Sequence, residues 1–174
     1  MKKLAVGALS AVLTVSLGAA PAAAQTRTFP DRDGGVGTAI VTVTVENGAK
    51  ALRVTSKHKR LMYEDTVWID TRPADPGPEY RVNGLANSDA LSFQRVETFQ
   101  TKVGKPWSCS NAVMRSNNSA PGANSWIKIP QSCLRGPGQV RVQTMSESRK
   151  HVVDFAPNKG TYGPAWFTPW VPKG

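Results

Sequence analysis

The chain runs to 174 residues and carries 22 Lys and Arg against 12 Asp and Glu, a formal net charge of +10. That length suits one domain, since single domains usually span ~100–200 residues. With 40% hydrophobic residues and five tryptophans it is too apolar for a disordered tail, and two His with two Cys argue against a zinc centre.

The first predicted element is an address. Lys2 and Lys3 precede an uncharged run of Leu, Val, Ala and Gly from Leu4 to Ala20, and Ala22-Ala23-Ala24 supplies the small residues a signal peptidase accepts. Residues 1–24 therefore read as a secretory signal peptide and 25–174 as the mature domain. The run is shorter than the ~20 predominantly apolar residues of a membrane span, and no later stretch is apolar enough for one. A secreted protein without a membrane span is expected. Cleavage removes Lys2 and Lys3 and leaves +8, an excess that favours anionic wall polymers or acidic polysaccharide as partners rather than nucleic acid. Solubility alone is the simpler use of that charge. Oligomeric state is not legible.

Asp31-Arg32-Asp33-Gly34-Gly35 has the alternate Asp of a calcium loop but lacks the third oxygen ligand and the later Glu, so a turn is expected, and no metal or cofactor. Period-two alternation follows in Ala39–Val45 and Lys50–Thr55, with Asn47-Gly48 between them as the type I′ hairpin signal. That turn would set Val43 opposite Leu52 and Val41 opposite Val54 on one apolar face. Lys57-His58-Lys59-Arg60 then forms a basic run, with Lys57, Lys59 and Arg60 as candidate polyanion contacts and a solvated loop as the alternative. Further short strands read from Thr66-Val67-Trp68-Ile69, Glu79–Val82, Ala90–Arg95, Ala112–Arg115, Trp126–Ile129, Val140–Gln143 and His151–Phe155. Pro/Gly-rich turns separate many of them, and no helical period supplies crossovers. An all-β fold is expected, a single antiparallel β-sandwich, with a β-barrel as the alternative.

Cys109 and Cys133 are an even pair in an exported chain, so a structural disulfide is expected, worth at most ~3.5 kcal/mol by loop closure. From Ala156 to Gly174, four prolines alternate with Tyr162, Trp166, Phe167 and Trp170. Proline removes ladder donors, so this is a C-terminal strap. Its aromatics either seal one end of the sandwich or offer Tyr162, Trp166 and Trp170 as a stacking platform.

Ile69-Asp70-Thr71-Arg72-Pro73, Gly77-Pro78-Glu79-Tyr80, Ile129-Pro130-Gln131-Ser132-Cys133-Leu134 and Val140-Arg141-Val142 are distinctive as a set. In these motifs the chain resembles a group of small secreted actinobacterial proteins of unassigned function, over roughly Asp31 to Phe155. More remotely, the strand-Asp-turn-strand unit is similar to β-sandwiches of the family 9 carbohydrate-binding module and DOMON type. Those likenesses imply a sandwich, and fold does not fix function.

Asp65, Asp70, Asp75 and Glu79 gather around the first Pro/Gly loop, and two acids suffice for a glycosidase. No nucleophile–base–orienter set accompanies them, so ion pairs with Arg72 and Arg81 are the simpler use, and no catalytic residue is assigned. His151 is given no base role. Asn117-Asn118-Ser119 matches a glycosylation sequon that the bacterial style of the leader argues against. The expectation is a secreted, non-catalytic binding module for cell-wall or extracellular polysaccharide, neutral or anionic. The alternatives are a hydrolase using Asp70 and Glu79, or a structural or inhibitory protein presenting the Ser116–Asn124 loop.

Overall fold

The computed structural model describes residues 24–31, 40–75, 77–86, 88, 90–117, 122–157 and 166–174. Residues 1–23 of the expected leader, 32–35 of the calcium-like turn and Tyr162 lie outside them. Among the described residues, twelve strands pack as two antiparallel sheets. The first sheet runs in the order β1 (Gln25–Pro30), β2 (Ile40–Asn47), β3 (Ala51–His58), β9 (Asn124–Pro130), β8 (Val113–Asn117). The second runs β11 (Val153–Ala156), β10 (Gln139–Glu147), β4 (Glu64–Asp70), β5 (Tyr80–Leu85), β6 (Leu91–Arg95), β7 (Lys105–Pro106), with β12 (Val171–Pro172) also paired to β10. Neither sheet closes on itself. The architecture is the expected sandwich, not the barrel.

The first hairpin forms with a different turn from the one Asn47-Gly48 announces. Asn47 is the last residue of β2 and faces Leu52, and the Gly48 N–H donates to the Ala51 carbonyl at 3.0 Å, so Ala49 and Lys50 make the bend. Neither Asn47 nor Gly48 has positive φ. Val45 therefore faces Val54 and Val43 faces Ser56, a partner shift of four residues from the expected register. Because the shift is even, every side chain keeps its face. Val43, Val45, Leu52 and Val54 are all interior. Val41 is the exception, because a bulge between Ile40 and Thr42 turns Ile40 into the core and leaves Val41 half-buried.

Tertiary hydrogen bonds explain why Asn47 stays in the strand. Its side chain is fully buried, donating to the Val171 carbonyl at 2.9 Å and accepting from Gln131 Nε2 at 2.7 Å. A buried carboxamide satisfied on both ends outweighs a local turn preference.

The core lies between Val43, Val45, Leu52, Val54, Ile127 and Ile129 of the first sheet and Val67, Ile69, Val82, Val140 and Val142 of the second. Alternation supplies each of these residues, and burying each is worth ~1.5–3 kcal/mol. Cys109 and Cys133 are bonded, with 5.6 Å between their Cα atoms, tying the loop after β7 to the 3-10 turn Gln131–Leu134. The described part of the strap runs along β10: the Thr168 N–H donates to the Val142 carbonyl and Thr168 Oγ1 accepts from the Val142 N–H. It crosses to the first sheet through Asn47 and through the Gly174 N–H, which donates to the Asn47 carbonyl at 2.9 Å. Val171 is consequently a core residue, and the strap seals one side of the sandwich.

Candidate functional site

The outer face of the second sheet carries a groove of about 500 Å³ that crosses β11, β10, β4, β5 and β6. Its floor follows from strand parity. With Val67, Val82 and Phe93 directed inward, Thr66, Trp68, Arg81, Asn83, Ser92 and Gln94 must face outward, and register places them side by side. Asn83 Nδ2 donates to Glu64 Oε1 and, at 3.0 Å, to Thr66 Oγ1. Arg81 is held by Gln94 Oε1 and by the Thr101 and Lys102 carbonyls, so its guanidinium is fixed before any ligand arrives.

Rings close the other end. Trp68 stacks with Phe155 at 6.3 Å between centroids and tilts against Phe99 at 5.7 Å, and Phe99 meets Phe167 of the strap at 4.9 Å. Trp68 is only 6% exposed, and its indole N–H has no partner among the described residues. One acid, Glu64, and one base, Arg81, line the groove, so its lining carries no net charge.

The acids of the first Pro/Gly loop are structural clamps in this geometry. Asp70 is fully buried and accepts from Arg141 Nε at 2.8 Å and Nη2 at 2.6 Å on one oxygen, and from the Arg72 N–H at 3.0 Å on the other. Glu79 Oε2 accepts from the Thr71 N–H and hydroxyl at 2.6 and 2.8 Å, and Oε1 from Arg72 Nε at 3.1 Å. The hydrogen bond from Arg72 to Glu79, followed by the Glu79 charge, raises the guanidinium above its ordinary pKa. Glu79 lines a hollow of about 290 Å³ beside Arg72, Arg95 and Arg135, and Asp70 does not line it. Asp75 pairs with Arg72 at 2.9 Å on the surface, while Arg81 takes the partners given above and neither Asp70 nor Glu79.

Asp65 sits apart from these acids, inside the sandwich, where it accepts from Ser125 Oγ and lies 3.5 Å from His58 Nε2. The basic run is thus split by the strand period, with His58 only 2% exposed while Lys57, Lys59 and Arg60 are exposed. Ser, Asp and His meet here, but the hydroxyl bonds the carboxylate instead of the imidazole, and all three are interior. A substrate has no access, and this is a polar plug in the core. Sequence reading missed it because it took His58 for a loop residue, although alternation from Leu52, Val54 and Ser56 aims His58 inward.

The strap aromatics separate. Trp166 is 39% exposed, whereas Trp170 is half-buried with the Arg141 guanidinium 4.8 Å from its ring, and Phe167 meets the same guanidinium at 4.6 Å. Arg60 joins Arg149 and Lys150 at a third hollow, at the end of the sandwich where the β3–β4 and β10–β11 loops meet. Groove residues Asn83, Ser92 and Gln94 were not singled out from sequence, and Arg81 only as an ion-pair partner for the loop acids. Their alternation with Val82 and Phe93 marks them as outward, but only the register brings them together.

Comparison of the chain with protein-family models, curated proteins and solved structures finds no match.

Proposed function

We propose that the protein is an exported, non-catalytic module that binds a neutral polysaccharide strand of the cell wall or extracellular matrix along the outer groove of the second sheet. The groove carries this reading. Sugars offer vicinal hydroxyls and apolar C–H faces, which match planar amide, carboxylate and guanidinium groups beside aromatic rings. Asn83 is already bonded to Glu64 and Arg81 to Gln94, so binding orders few side chains. Absence of net charge along the groove favours a neutral chain over an anionic one. Export is supported by the leader pattern of residues 1–24 and by the disulfide. The sequence likeness to carbohydrate-binding sandwiches points the same way at fold level only.

Retention on a panel of insoluble polysaccharides and wall preparations, at low and high salt, tests the proposal. Binding should survive salt and fall at least ten-fold in Asn83→Ala and Gln94→Ala. Retention on none of the panel, or retention that these substitutions leave intact while Trp166→Ala removes it, would overturn the groove assignment.

A further inference from the structure

Beyond the groove, the geometry points to a second surface: loops 59–63 and 148–152 form a docking face for an anionic lipid bilayer. They enclose a hollow of about 550 Å³ lined by the cations Arg60, Arg149 and Lys150 and by apolar Leu61 and Val152. Of the five large hydrophobic side chains exposed among the described residues, three lie on these two loops: Leu61 at 52%, Tyr63 at 39% and Val152 at 36%. Lys57 and Lys59 are exposed on the strand and loop leading into the face. Two carboxylates border it, Glu64 bonded by Asn83 and Glu147 beside His151, against the five cations Lys57, Lys59, Arg60, Arg149 and Lys150. The face therefore presents positive charge around exposed hydrocarbon.

Both loops are pre-formed. Ser148 binds the second into a tight turn: its N–H donates to the Val152 carbonyl at 3.0 Å, and its hydroxyl accepts from the Lys150 and Val152 N–H groups at 3.3 and 3.2 Å. Buried Met62, with the Tyr63 N–H donating to the Glu147 carbonyl at 2.7 Å, pins the first loop against β10. Cations on rigid turns would serve any polyanion. Leu61 and Val152 decide between partners, because an anionic polymer in water offers them no hydrocarbon, whereas a bilayer surface takes apolar tips below its headgroups and places tyrosine at the boundary.

The test labels the full chain at Val152→Cys with an environment-sensitive NBD fluorophore; no native thiol is free among the described residues, so the label goes to one site. All variants carry the same residues 1–24, so that segment contributes equally throughout. Phosphatidylcholine vesicles containing phosphatidylglycerol should brighten and blue-shift the label. Pure phosphatidylcholine and soluble polyphosphate should not. At about five-fold per cation, removing two with Arg149→Gln and Lys150→Gln should weaken partitioning about 25-fold, and Leu61→Ala should weaken it again without changing polyphosphate affinity. A silent label, an equal response to neutral vesicles, or the same brightening with polyphosphate would overturn the proposal. The hollow shares no lining residue with the groove, and Gln94 touches no residue of the face, so Gln94→Ala leaves this response intact and the two readings fail separately.

Discussion

Replacing Arg141 with methionine strips a buried carboxylate of its counter-charge. Asp70 is fully buried, and two of its three hydrogen bonds come from Arg141, whose side chain is 27% exposed and lies against the rings of Phe167 and Trp170. Breaking one side of a buried pair costs ~3–5 kcal/mol, and the partial exposure of Arg141 puts the expected loss for Arg141→Met at about 3 kcal/mol. Asp70→Asn keeps an acceptor for the Arg72 N–H but not the charge, and should cost about 2 kcal/mol. If the two act as one clamp, the double variant should fall short of the sum by ~1–2 kcal/mol. Urea unfolding of the four proteins under identical conditions gives the cycle, and unchanged slopes would show that the denatured state is the same in each. Losses that add to within ~0.5 kcal/mol would refute the clamp. The same series bears on the hydrolase alternative, under which Asp70→Asn would abolish glycoside cleavage at unchanged stability.

Asn47→Ala should cost ~2–4 kcal/mol, since it strands the buried Val171 carbonyl and removes one of the two acceptors of Gln131 Nε2; thermal unfolding measures it, and a loss under ~0.5 kcal/mol would mean the strap is held elsewhere. Gly84→Ala should cost ~1–3 kcal/mol by overpacking, because the new methyl would lie 2.8 Å from Leu91 Cδ2 and overlap Met114 Sδ of the facing sheet. Wild-type stability in urea would show that Met114 has room to move aside.

Strand periodicity made most of the fold legible. Alternation in β2 and β3 put Val43, Leu52 and Val54 inside, and it did so despite a wrong turn, since a register error of even length leaves the two faces unchanged. The bulge at Val41 escaped because an inserted residue has no signature in an alternating apolar run. Strand β1 escaped because its residues are nearly all exposed and it has no apolar face to read. The acids near the Pro/Gly loop were visible as a cluster, but whether a carboxylate clamps a turn or faces a hollow depends on which arginine reaches it, and Arg141 lies 71 residues from Asp70. The groove was hidden for a similar reason. Each of its strands reads correctly alone, and the concavity exists only once five of them lie in register.

The bonds that join residues 168–174 to Val142 and Asn47 also set an order of events in synthesis. A ribosome delivers the β2–β3 hairpin long before the segment that covers its buried carboxamide, so Asn47 waits, hydrated, while the rest of the polypeptide emerges. Final closure waits for residues 168–174, and a nascent chain arrested before Val171 would leave β10 with an open rim on which a second unfinished copy could zip.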